Sequence, residues 1–107
     1  MNNELTALSD TLRDFAAARG WRAYHTPKNL AMALIVEAAE LVEHFQWATP
    51  EESGALSPDK LGEVQDEVAD VLIYLVELAD VLGINLIEAA RAKIVKNAQK
   101  YPAPGGL

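Results

Sequence analysis

The sequence predicts an all-α protein with four main helices. Apolar residues recur at intervals of three and four along most of the 107 residues, and half of all residues are hydrophobic. No stretch shows the alternation of apolar and polar residues that is typical of a strand. A chain of this length forms one domain with a modest core. We therefore expect a single helical domain over residues 1–101 and a flexible C-terminal tail over residues 102–107.

Residues that begin and end helices divide the chain into these segments. Ser or Thr followed by Pro is typical of a helix start, because the hydroxyl caps the first turn and Pro has no N–H to satisfy. Glycine directly after the last turn is typical of a helix end. The predicted helices are residues 3–19, 27–46, 58–82 and 86–100. Gly20 ends the first helix and Gly83 ends the third. Thr26-Pro27 starts the second helix, Ser57-Pro58 starts the third, and Asn85 with Glu88, which resemble a capping box, start the fourth.

The charge of the chain is unevenly distributed. Residues 29–90 hold thirteen acidic residues and one lysine, whereas the remaining residues hold three acidic and eight basic ones, so the total is −7. This balance argues against binding to nucleic-acid polymers, which requires a basic surface. The absence of cysteine excludes disulfides and thiolate metal sites. No leader and no apolar run of about 18 residues is visible, so we expect a cytoplasmic protein that does not bind membranes.

Two pairs of acidic residues are the main candidates for chemistry. Glu37 and Glu40 lie on the second predicted helix, and Glu67 and Asp70 lie on the third. Residues three apart share a helix face, so each pair can direct two carboxylates to one point. Glu37 falls within an apolar stripe, where an unpaired carboxylate is costly to bury. Together the pairs would form an oxygen ligand set that suits Mg²⁺ or Mn²⁺; the alternative is a solvated acidic surface.

The fourth predicted helix carries the opposite charge. Its basic residues are Arg91, Lys93, Lys96 and Lys100, with Asn97 between them. Lysines near a helix C-terminus complement the helix dipole, which explains the last two without any function. A polyphosphate would also require cations beside the acidic residues.

Four sequence blocks resemble the MazG-like, all-α nucleoside triphosphate pyrophosphohydrolases, and among them the dCTP pyrophosphatase branch. Together they span about residues 15–102. The blocks are Trp21-Arg-x-Tyr-His-x-Pro-Lys-Asn-Leu, Glu37-x-x-Glu-Leu-x-Glu-x-Phe-Gln-Trp, Asp66-Glu-x-x-Asp-Val-Leu-Ile-Tyr-Leu and Lys93-x-x-x-Asn-x-x-Lys-Tyr-Pro. The resemblance implies a four-helix bundle that assembles as a homodimer or homotetramer.

The resemblance also implies an activity and a set of site residues. The expected reaction is Mg²⁺-dependent hydrolysis of a nucleoside triphosphate, dCTP or a modified dCTP, to the monophosphate and pyrophosphate, which would cleanse the nucleotide pool. By position, the expected roles are metal binding and catalysis for Glu37, Glu40, Glu67 and Asp70, phosphate or sugar binding for Lys93 and Asn97, and base or sugar binding for Trp21, His25, Trp47 and Tyr74. The alternatives are a dUTP or broad-range pyrophosphatase and a non-catalytic, nucleotide-binding helical oligomer.

Overall fold

The computed structural model describes residues 3–105, and these residues form five α-helices without any strand. The helices are α1 (Asn3–Ala18), α2 (Pro27–Glu43), α3 (Pro50–Ser53), α4 (Pro58–Leu82) and α5 (Leu86–Lys100). A short 3-10 turn connects α1 to α2, and α3 is a single turn within the connector between α2 and α4. The all-α prediction is confirmed. Residues 101–105 form no helix, and the last two residues of the predicted tail lie outside the described residues.

Local capping explains most of the helix boundaries. Thr26 and Ser57 each accept a hydrogen bond from a backbone N–H three residues later, at 3.1 and 3.2 Å. Asn85 caps α5 in the same way at 3.0 Å. Gly20 and Gly83 adopt φ values of 67° and 69°, a region in which other residues are strained. The boundaries at these positions agree with the predicted ones, because capping depends only on neighbouring residues.

One predicted boundary is wrong. Helix α2 ends at Glu43, about one turn before the predicted end at residue 46. The backbone from His44 continues as turns, with Phe45 and Gln46 both bonded to the carbonyl of Val42. The apolar pattern persists through these turns, so periodicity alone could not locate the end of the helix.

Helix α4 is the centre of the packing. Helix α2 packs along it, and α1 packs against its C-terminal part, where the Arg13 guanidinium and the Asp80 carboxylate approach to 2.5 Å. The core is small, and Leu30 of α2 is its most deeply buried large side chain, with 1 % exposure. The other buried residues are Ala16, Val64, Val76 and Ala79. Helix α5 has no extensive packing against any other described helix, and its residues 88–100 are all exposed.

A single copy of the chain is open and has a large apolar surface. Its radius of gyration is 17.0 Å, against about 13 Å for a compact chain of this length. Its accessible surface is 8075 Å², against about 5,800 Å² for a typical monomer of this mass. The exposed apolar residues include Met32, Ile35, Val36, Val42, Leu61, Val68, Leu72, Ile94 and Val95. None of the helices within residues 3–105 is long and apolar enough to cross a membrane.

Candidate metal and nucleotide site

The packing of α2 along α4 brings acidic residues of both helices together. One carboxylate oxygen from each of Glu37, Glu67 and Asp70 lies within 4.8 Å of the others. Glu40, one turn after Glu37 on α2, lies close enough to raise the pKa of the Glu37 carboxyl. The four predicted ligands are thus neighbours across the contact between the two helices. We call Glu37, Glu40, Glu67 and Asp70 the acidic cluster.

The carboxylates of the acidic cluster repel one another. Glu37 Oε2 and Glu67 Oε2 are buried and have no hydrogen-bond partner among residues 3–105. Burial raises the pKa of Glu37 from 4.5 to about 7, and the neighbouring carboxyl groups of Glu40, Glu67 and Asp70 raise it further. Protonation of Glu37 relieves part of the repulsion among the carboxylates of the acidic cluster. A bound cation would relieve more of it.

The donor set fits a hard divalent cation. Carboxylate oxygens are the ligands that Mg²⁺ and Mn²⁺ prefer, and no sulfur or imidazole donor belongs to the acidic cluster. The unpartnered oxygens of Glu37 and Glu67 offer lone pairs that no protein donor uses. The acidic cluster therefore has the donor atoms that could hold a divalent metal ion.

A second polar group continues the same face of α4. Tyr74 follows Asp70 by one turn; burial raises the pKa of its hydroxyl, and the nearby carboxylates of Glu37, Glu77 and Asp70 raise it further. One turn beyond Tyr74, the Glu77 carboxylate Oε2 lies 3.6 Å from His25 Nδ1. Tyr74 therefore lies one turn after the acidic cluster on α4, and His25 lies beside Glu77, one turn further along the same helix.

Glu77 is a residue that the sequence analysis missed. It lies seven positions after Asp70 and three after Tyr74, so helical spacing places it on the same face of α4 as these two residues. This spacing alone could have identified Glu77 as a candidate. Its partner His25 could not be identified in this way, because it lies more than fifty residues earlier in the chain.

The remaining predicted residues are not joined to the acidic cluster in one copy of the chain. Trp21 packs edge to face on the ring of Phe15, with ring centroids 5.8 Å apart. Trp47, in the connector after α2, is 89 % exposed. Lys93 and Asn97 lie on the exposed helix α5. The roles of these four residues stay predictions.

Comparison with known proteins relates this arrangement to a family. The structure is similar to the crystal structure of a pyrophosphatase from Archaeoglobus fulgidus, with a TM-score of 0.89 and 48% sequence identity, covering 96% of each chain. The human protein dCTP pyrophosphatase 1 is 45% identical over 92 residues, which are 84% of this chain and 54% of that protein. The bovine protein of the same name is 44% identical over 91 residues. The chain spans about half the length of these curated relatives.

The family profile that matches this chain covers its acidic cluster. Residues 32–106 match the MazG-like family, and this segment contains α2 from its second turn, all of α4 and all of α5. Both the resemblance of the sequence blocks and the all-helical fold agree with that match. The chain belongs to the MazG-like family.

Proposed function

We propose that this chain is a metal-dependent nucleoside triphosphate pyrophosphohydrolase that cleaves the bond between the α- and β-phosphates. The observation that carries the proposal is the convergence of the Glu37, Glu67 and Asp70 oxygens within 4.8 Å across two helices. The names of its relatives, dCTP pyrophosphatase 1 and a pyrophosphatase, support the same reaction class. The products are the nucleoside monophosphate and pyrophosphate.

In this reaction, the carboxylates of the acidic cluster would bind the metal and accept a proton. Glu37, Glu40, Glu67 and Asp70 would hold the metal, with Mg²⁺ as the expected ion and Mn²⁺ as the alternative. A divalent cation there supplies charge neutralisation for the triphosphate and makes a nearby water more acidic. A carboxylate of the acidic cluster accepts a proton from the water that attacks the α-phosphorus. As the new P–O bond forms, the bond to the bridging oxygen breaks and pyrophosphate leaves.

The nucleoside is proposed to lie along α4, beyond the acidic cluster. Tyr74 and His25 follow the cluster in that direction, and Trp21 and Trp47 offer flat surfaces on which a base can stack. The substrate we propose is dCTP or a modified dCTP, as the names of the curated relatives suggest. The alternative is a preference for dUTP or for a broad range of nucleotides. The cellular role would be to remove damaged or excess nucleotides from the pool.

We propose further that a second copy completes the site. The surface of one copy exceeds that of a typical monomer by about 2,000 Å², which is the size of a stable protein interface. Helix α5 combines the exposed apolar residues Ile94 and Val95 with basic residues, so it can pack on apolar helix faces of another copy and bring positive charge to its acidic cluster. In this homodimer, or in a tetramer built from it, Lys93 and Asn97 would approach the phosphates from the partner.

Product analysis tests the proposed reaction. Purified protein is incubated with dCTP, 5-methyl-dCTP, dUTP, dATP and CTP in the presence of Mg²⁺, and the products are separated. We expect monophosphate and pyrophosphate; diphosphate and phosphate would contradict attack on the α-phosphorus. The variant E67Q should lose turnover by at least about 100-fold while keeping its helicity, because it loses one charged oxygen of the acidic cluster.

The matched control for E67Q is E63Q, because Glu63 is an exposed carboxylate one turn earlier on α4. We expect E63Q to retain wild-type turnover. If the wild-type protein turns over none of these nucleotides but binds them with intact helicity, the chain is the non-catalytic nucleotide-binding oligomer and the proposed activity is refuted.

A further inference from the structure

Lys60 is the only lysine or arginine between positions 29 and 90, a stretch that holds thirteen acidic residues. It lies in the first turn of α4, and its side chain is 39% exposed. Its ammonium Nζ lies 3.7 Å from Oε2 of Glu63, whose side chain is 63% exposed. Because this distance is longer than a hydrogen bond and the carboxylate is solvated, the ion pair is weak. The Lys60 ammonium is therefore free to leave Glu63 for a more highly charged anion.

The acidic cluster lies between Lys60 and Tyr74 on one face of α4. Lys60 precedes Glu67 by seven residues, and Tyr74 follows Asp70 by four. At about 100° per residue, Lys60, Glu67 and Tyr74 fall within about 40° of one another around the helix. Lys60 thus continues the face that carries the proposed site, on the side of the acidic cluster that faces away from Tyr74.

The distance from Lys60 to the acidic cluster suits the length of a triphosphate. The backbone positions of Lys60 and Glu67 are about 10 Å apart along the helix axis. With the α-phosphorus at the acidic cluster and the nucleoside on the Tyr74 side, an extended triphosphate directs its β- and γ-phosphates toward Lys60. These phosphates cover part of the distance from the acidic cluster, and the four methylene groups of lysine cover the rest from the helix.

The terminal phosphate requires a positive charge in this position. A cation at the acidic cluster neutralises the phosphate oxygens that it contacts, and pyrophosphate gains negative charge as its bond to the α-phosphorus breaks. Glu63 lies on the same face of α4, and its carboxylate repels a γ-phosphate unless a positive charge lies between them. Lysine binds phosphate as a point charge, and Lys60 is the one lysine that α2, the connector and α4 supply beyond position 28.

We propose that Lys60 binds the γ-phosphate and thereby makes the chain select nucleoside triphosphates over nucleoside diphosphates. This inference rests on the proposed function. A diphosphate places its α- and β-phosphates at the acidic cluster, and its hydrolysis there yields the monophosphate and inorganic phosphate. It has no third phosphate, so Lys60 stays beside Glu63 and contributes nothing to its binding. A charge-assisted hydrogen bond to phosphate accounts for a preference of about tenfold or more.

Kinetics with dCTP and dCDP in the presence of Mg²⁺ test the selectivity. We expect K60M to lower kcat/KM for dCTP by about tenfold and to leave that for dCDP nearly unchanged, whereas K60R retains the wild-type values. The cap of α4 uses the backbone N–H of Lys60, so both variants keep it. The control K28M removes an equal charge from an exposed position in the first turn of α2 and should leave the selectivity unchanged. Wild-type dCTP kinetics in K60M, equal losses for both nucleotides, or the same change in K28M would each overturn the proposal.

Binding of inorganic pyrophosphate tests the same contact without any turnover. Titration calorimetry with pyrophosphate and Mg²⁺ should give a dissociation constant about tenfold higher for K60M than for the wild type, with K28M equal to the wild type. No binding to the wild type, or equal affinities for the wild type and K60M, would contradict a phosphate contact at Lys60. If the wild type hydrolyses neither nucleotide, the proposed function fails, while the calorimetry still decides whether Lys60 binds phosphate.

Discussion

Replacing Glu37 by Gln should stabilise the metal-free protein at alkaline pH and remove its response to Mg²⁺. Burial raises the pKa of Glu37 from 4.5 to about 7, so the folded protein favours the protonated carboxyl. A raised pKa contributes stability that is fully present below pH 4.5 and is lost as the pH rises through about 7. Glutamine is neutral at every pH, so E37Q keeps this stability at alkaline pH, where the wild-type protein has lost it.

The magnitude follows from the size of the pKa shift. At about 1.4 kcal/mol per pH unit, the shift of Glu37 sets an upper limit of about 3.5 kcal/mol. Because the side chain is only partly buried and its pKa also depends on the neighbouring Glu40 and Glu67, we expect a gain of about 1–2 kcal/mol in the free energy of unfolding. For a domain of this size, that gain raises the melting temperature by at least about 4 °C.

Thermal melting in excess EDTA, followed by circular dichroism, checks this expectation. At about pH 8, E37Q should melt at a higher temperature than the wild type, and the difference should disappear at about pH 4. Added Mg²⁺ should raise the melting temperature of the wild type and leave that of E37Q nearly unchanged. The control E43Q alters an exposed acid of the same helix and should show neither effect. An E37Q protein that melts at or below the wild-type temperature in EDTA at pH 8 would refute the reasoning.

Three further predictions concern the partner copy, the α1–α4 contact and the exposed tryptophan. If Lys93 acts on the acidic cluster of a partner, mixing inactive E67Q and K93A protomers should restore about a quarter of wild-type activity, whereas no recovery would mean that Lys93 acts within its own chain. Arg13 lowers the pKa of Asp80 below 3.8, so D80N should lower the melting temperature at neutral pH by up to about 5 °C, a difference that should shrink as the pH falls below 3.8; a constant difference would contradict the ion pair. Trp47 is 89 % exposed, so W47A should keep the wild-type melting temperature but raise KM several-fold if the indole stacks on the base; an unchanged KM would exclude that role.

The sequence by itself determined the helices and the residues available for chemistry. Thr26 and Ser57 begin their helices and Gly83 ends α4 as predicted, because a cap or a left-handed glycine involves only residues within one turn. The spacing of Glu37 and Glu40 placed both on one side of α2 for the same local reason. The membership of the chain in the MazG-like family was likewise readable from four short blocks.

Only the tertiary structure decided which of those residues meet. Helical periodicity defines a face but not its partner, so the approach of Glu37 to Asp70 within 4.8 Å depends on how α2 packs along α4. The contact between His25 and Glu77 likewise joins residues that are far apart in the chain, and no local pattern encodes it. The exposure of α5 is also non-local, since an apolar side chain such as Ile94 is buried only when another surface covers it. Local interactions therefore specified the helices and the positions of their acidic residues, and long-range packing determined which of those residues come close together.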